Sequence, residues 1–413
     1  MPAAARARSR KRDFLALLGA TSLPLPWMVA HHFEGMGLSS EFVAVMAGCA
    51  ILGGAFLLSW ATELAERDIP QALAILVLAL VSVLPEYAVD LHFAWAAGTD
   101  PSMAPFAVAN MTGANRLLIG IGWAAVVLVA CWRSGHDEMP IHPRRTLEIR
   151  FLLWATIYSF FIPLSGTINL FDAFVLFAIF FVYAHSAIRG ESEEVDLIGP
   201  AGLLDREFGN RGRHLWIIVL FLFAAYGIFV SAEPFADSLV EIGRNSRIDD
   251  FLLVQWVAPL ASESPEFMIA ILFAWKLRGS VGIGTLVSSK VNQWTLLVGA
   301  IPIAFALSVG GLQGLPLDER QTEELFLTSS QSLLATVLIA DLRFSRIEAL
   351  LLAALFLAQF LFTSTEVRYL FIALYLLLAL AFLIAGGSRR RSMFFGLLVG
   401  PSAGRSASRT GSD

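Results

Sequence analysis

Twelve apolar stretches, most of them long enough to cross a bilayer as a helix of about 20 residues, leave this chain few ways to fold. They lie near 14–31, 41–64, 69–96, 103–131, 147–164, 169–188, 214–242, 250–276, 280–309, 323–341, 346–363 and 367–386. With 57% hydrophobic and 15% charged residues, the sequence lies far from the composition of soluble domains, where about a quarter of residues are charged. The pattern predicts an all-α polytopic membrane protein of about twelve transmembrane helices.

Arginine and lysine cluster in alternate loops: Arg6, Arg8, Arg10, Lys11 and Arg12 before the first stretch, then Arg67, Arg133, Arg144, Arg145, Arg189, Arg278, Arg343 and Arg389. The opposite loops hold Arg244, Arg247, Arg320 and Arg368. By the positive-inside rule this places both termini in the cytoplasm of an inner-membrane protein. Residues 1–13 read as a basic cytoplasmic N-terminus, 189–213 as a cytoplasmic linker and 387–413 as a disordered cytoplasmic tail. Cys49 and Cys131 fall in apolar stretches and suggest packing rather than a disulfide or metal framework. No basic patch with interleaved aromatics points to nucleic acid, and no HExxH pattern points to an enzyme.

One short motif occurs twice, SVLPE at Ser82 to Glu86 and SESPE at Ser262 to Glu266. A glutamate beside a proline within an apolar span is costly unless the charge is used. Proline lacks an N–H, so nearby carbonyls lose helical partners and are able to face an ion. Aligning the motifs sets residues 41–188 over 214–363, five spans each, with an extra helix at 14–31 and another at 367–386. An odd number of spans per copy inverts the second repeat, as in secondary transporters whose substrate site lies near the midplane. Each motif is followed by a stretch rich in small and polar residues, around Gly113 and Ala114 in one half and Gly282 and Gly284 in the other, which allows close helix approach. Counting about 1.5 Å per residue brings Glu86, Glu266, Asn115, Arg116 and Lys290 to similar depth.

These blocks resemble the cation/calcium exchanger superfamily, the sodium/calcium exchanger membrane-region family. Its first block typically reads GTSLPE, and here the sequence has VSVLPE (81–86) and ASESPE (261–266). Its second block resembles GNxxGSNxxN, against ANMTGANRLL (109–118) and GTLVSSKVNQ (284–293). The resemblance implies that Glu86 and Glu266 are the central ion-binding carboxylates and that Ser82 and Ser262 supply hydroxyls. Ser289 matches the serine of the second block, and Asn115 and Gln293 complete the candidate ligand set. The chain departs from the pattern at Ala114, Leu118, Gln293, Lys290 and Arg116. Lys290 and Arg116 are candidate charge partners of the glutamates. Asp90, four residues after Glu86, and Glu263, inside the second motif, are candidates for a wider cation site or a proton relay.

The resemblance implies a secondary antiporter exchanging Ca2+ or Na+ against Na+ or H+ by alternating access, with transported cations and the lipid bilayer as its partners and no cofactor. Two alternatives stay open: a sodium/proton antiporter without calcium transport, and a non-transporting sensor or scaffold whose site is locked by Lys290 and Arg116.

Overall fold

The computed structural model describes residues 3–33, 37–67, 83–188, 197, 199–246, 249–361 and 364–399. In the N-terminal half the helices are α1 (Ala3–Ser22), α2 (Leu25–Ala30), α3 (Ser40–Glu66), α4 (Leu84–Ala96), α5 (Ala104–Leu117), α6 (Ala124–Ser134), α7 (Thr146–Ser159) and α8 (Leu170–Ile188). The second half holds α9 (Gly199–Ser246), α10 (Asp250–Trp275), α11 (Gly279–Asn292), α12 (Val298–Val309), α13 (Glu319–Ile339), α14 (Arg346–Leu361), α15 (Thr365–Ala385) and α16 (Gly387–Val399). Nine stretches among the described residues are helical, long and apolar enough to cross a membrane. Of the expected spans outside that set, 69–96 is described only from Val83, α14 has 16 residues, and α13 is too polar by composition.

Helices α5 and α6 are joined by a π-helical stretch, Leu118–Trp123, and α11 and α12 by another, Gln293–Leu297. Both follow the second polar block of their repeat, so the same local widening of the helix recurs in each half. Such π stretches concentrate at functional sites.

Among the described residues, four short strands reveal how the halves are related. Strand β1 (Glu138–Pro140) pairs antiparallel with β4 (Arg343–Ser345), and β2 (Thr167–Ile168) with β3 (Leu315–Pro316). Strands β1 and β3 follow the second-block helices of the two repeats, while β4 and β2 follow α13 and α7. Exchanging the repeats therefore turns one ribbon into the other. The same exchange relates two hydroxyl contacts between α7 and α13: Thr156 with Ser332 and Ser159 with Ser329, both 2.7 Å. Two inverted five-helix repeats account for both pairs of contacts.

The ends of the chain differ from expectation. The first extra helix breaks between Ser22 and Leu25, where Pro24 and Pro26 follow closely. Most of the expected linker beyond Gly199 is helical and runs into α9, interrupted only at Gly209, whose φ of 53° suits glycine. The stretch expected to be disordered begins with helix α16 instead. Phe394 and Leu397 bury one side of it, and Arg390 pairs with Asp341 at 3.0 Å and Glu348 at 2.7 Å. Apolar contacts and paired charges supply what composition alone did not show.

Candidate cation site

The site grows from α4, α5, α10 and α11. In the first repeat Pro85 occupies the opening positions of α4, where its missing N–H costs nothing. Glu86 thereby sits in a helix first turn, at the positive end of the helix dipole. In the second repeat Pro259 and Pro265 lie inside the continuous helix α10. The helix runs through the second motif unbroken, and the prolines deprive single carbonyls of partners. Pro259 frees the carbonyl of Gln255, four residues earlier, and Gly113 of α5 packs onto that carbonyl. A Cβ at Gly113 would overlap the Gln255 oxygen, and one at Gly282 would overlap the Ala270 oxygen. Only glycine lets α5 and α11 approach α10 this closely.

These approaches bring the motif residues together. Glu86 is buried near both Glu266 and Asp90, and Glu263 faces Glu86, Glu266 and Lys290. The Ser262 hydroxyl lies between Glu86 and the carbonyls of Ala258 (3.3 Å) and Pro259 (3.4 Å), so a residue of one repeat supports the carboxylate of the other. Ser289 stands against Glu266 without completing a hydrogen bond. Gln293 donates to one oxygen of Glu263. Asn110 donates to Asp90 at 2.7 Å, tying α4 to α5.

Buried polar atoms ordinarily find partners. Here Glu86 Oε2, Glu263 Oε2, Glu266 Oε2, Asp90 Oδ2 and Gln293 Oε1 have none among the described residues. A set of oxygen acceptors at one place, unmatched by donors, is chemistry suited to a hard cation. Among the described residues no three His, Cys, Asp or Glu side chains gather as a compact metal cluster, so the donor set mixes carboxylate, amide and hydroxyl oxygens.

Lys290 and Arg116 part company. Lys290 Nζ donates to Asn115 Oδ1 at 2.6 Å and to its backbone oxygen at 3.1 Å, and lies 4.7 Å over the Trp294 ring. Among the described residues no carboxylate lies within 4 Å of its ammonium, although Glu263 is near enough to attract it. Asn115 therefore orients Lys290 through the oxygen expected to serve as a ligand. Arg116, one position further along α5, points elsewhere: it pairs with Glu324 of α13 at 2.8 Å. The expectation that Arg116 balances the motif glutamates is corrected by this geometry. Ser82 lies outside the described residues.

Sequence reasoning missed this second polar cluster. Arg368 of α15 binds Glu323 at 2.6 Å and Glu324 at 3.2 Å, Gln255 donates to Glu324 at 3.0 Å, and Gln331 donates to the Arg116 carbonyl at 3.2 Å. The signal was present in α13, whose TEELFLTSSQS is too polar for a helix facing lipid.

An all-helical, multi-pass membrane protein with two inverted repeats and acidic motifs meeting between them defines a class, the cation exchangers. The chain belongs to the sodium/calcium exchanger protein family, whose model matches residues 40–188 and 216–365. It is 43% identical to the crystal structure of the H+/Ca2+ exchanger CAX, covering 94% of this chain and 98% of that one with a TM-score of 0.88. The native structure of YfkE shares the fold at 14% identity, covering 84% and 97%, with a TM-score of 0.60. The sodium-calcium exchanger NCX_Mj does so at 17% identity, 78% and 97% coverage, and a TM-score of 0.52. Comparison with curated proteins gave no match.

Proposed function

We propose that this chain exchanges Ca2+ for H+ by alternating access around the site shared by Glu86 and Glu266. The observation that carries this reading is the group of buried carboxylate oxygens without partners, contributed by both inverted repeats. When ionised, the three carboxylates Glu86, Glu263 and Glu266 against the single ammonium of Lys290 leave two negative charges. One Ca2+ cancels them, and so do two protons; Asp90, held by Asn110, stands one turn further along α4. A bare charged site is costly within the bilayer, so only the loaded forms pass readily between inward and outward states, which couples the two ions. Similarity to the H+/Ca2+ exchanger CAX over 94% of this chain supports the same ion pair.

No covalent chemistry and no resident cofactor enter this proposal, and both termini are assigned to the cytoplasmic face of the inner membrane. Arg116 engages Glu324, which weighs against a site locked by its charge. The buried Lys290 favours a second reading, sodium/proton exchange, in which Na+ and the ammonium compete for Glu263 and Asn115.

The test is ion-driven proton movement in proteoliposomes holding a pH dye, with Ca2+, Na+ or K+ added in turn. Ca2+-dependent proton efflux, lost in Glu86→Gln and Glu266→Gln, supports the proposal. A response to Na+ alone transfers the assignment to sodium/proton exchange, and silence with every ion removes the transport reading.

A further inference from the structure

The two repeats touch through a pair of residues that hold equivalent positions. Helices α5 and α11 have 14 residues each, and Asn115 and Lys290 each stand three residues before the π-helical stretch that follows. Inverted repeats are related by a pseudo-two-fold axis, and groups at equivalent positions meet only close to that axis. Lys290 Nζ and Asn115 do meet, through hydrogen bonds of 2.6 and 3.1 Å. The ammonium therefore lies near the axis, between the second polar blocks of the two repeats.

The chemistry at this point is asymmetric. Where repeat one carries a neutral amide oxygen, repeat two carries a cation. The second repeat also adds a carboxylate: Glu263 stands three residues before Glu266, whereas Val83 holds that position before Glu86. Glu263 is near enough to attract the ammonium, so the two additions offset each other. A second asparagine at 290 would instead leave a pocket lined by oxygens.

The surroundings of Nζ suit a cation. Both oxygens of Asn115 accept from it, and the Trp294 ring, 4.7 Å away, presents the negative face of its π system. Glu263 keeps Oε2 without a partner among the described residues. Lys290 and Asn115 are completely buried. A small hard cation arriving from water needs the same oxygens, but it must displace a group bonded to the chain. The displaced ammonium would then be buried without acceptors, which is costly. In the competition between Na+ and the ammonium for Glu263 and Asn115, the tethered group holds the place.

We propose that Lys290 determines ion specificity, its ammonium acting as a tethered cation that occupies a sodium subsite between the two repeats and excludes Na+ from the exchange. The proposal rests on the Ca2+/H+ reading above. The test is binding of 22Na+ and 45Ca2+ to the purified protein by scintillation proximity, which requires no transport. Expected is a wild-type protein that retains 45Ca2+ and no 22Na+. Lys290→Asn, which repeats Asn115 at the equivalent position, should gain 22Na+ binding, and adding Asn115→Leu should remove the gain. Lys290→Gln offers a second amide in case one variant misfolds, and thermal unfolding in detergent verifies each. Binding of 22Na+ by the wild-type protein, no gain in either folded variant, or a gain that survives Asn115→Leu overturns the proposal. Loss of 45Ca2+ binding in the wild-type protein alone, with 22Na+ still gained by the variants, counts against the Ca2+/H+ reading and supports the role of Lys290.

Discussion

A methyl group at Gly113 would collide with the Gln255 carbonyl, which Pro259 has deprived of a helical donor. Gly113→Ala must push α5 from α10, and overpacking of this kind costs about 1–3 kcal/mol; a lowered thermal midpoint in detergent is the expected result. Ser262 acts at the same scale. Its hydroxyl stands beside Glu86 across the repeat boundary while donating to the carbonyls of its own helix, which leaves its lone pairs available as an oxygen ligand for a hard cation. Ser262→Ala should therefore raise the half-saturating Ca2+ concentration about tenfold or more in transport assays, while an unchanged value would exclude Ser262 from the site. The acidic motifs were legible because a glutamate inside an apolar span has few roles. The fate of Arg116 was not. Depth counting placed it level with the glutamates, but successive residues on a helix point about 100° apart, so Asn115 faces Lys290 while Arg116 turns toward α13.

Among the elements, α13 was the least legible. Its polar residues looked like an imperfect span, and their partners Arg116, Gln255 and Arg368 come from distant parts of the chain. Only tertiary packing brings them together. Arg368 makes the extra helix α15 part of the transporter body, because it pairs with Glu323 and shares Glu324 with Arg116. Removing one member of a buried ion pair strands the other, at a cost of about 3–5 kcal/mol. Arg368→Met should lower the thermal midpoint sharply, and the combined Glu323→Gln, Arg368→Met protein, which keeps Glu324 paired with Arg116, should recover part of the loss. The terminal helix α16 teaches the converse, since a tail read as disordered from 387 onward is helical over Gly387–Val399, where Arg390 pairs with Asp341 and Glu348.

On the scale of the whole molecule, the inverted repeat was the most legible property, and the two ribbons were the least. Strands of two or three residues leave no hydrophobic pattern to read, and their pairing needs both repeats in place. The ribbons and the hydroxyl contacts between α7 and α13 tie the two repeats at symmetric points, so these helices are expected to move as one body during transport. A disulfide between Glu138→Cys and Ser345→Cys, which face each other in the first ribbon, should form in a protein with Cys49 and Cys131 replaced and leave the transport rate largely intact; arrest that reverses on reduction would show that the ribbon must open. Whether the two repeats build one cation site jointly is decided by 45Ca2+ uptake into proteoliposomes under an imposed proton gradient. A joint site gives gradient-driven uptake in the wild-type protein, and uptake at the level of empty vesicles in both Glu86→Gln and Glu266→Gln. Substantial uptake by either folded variant would contradict it.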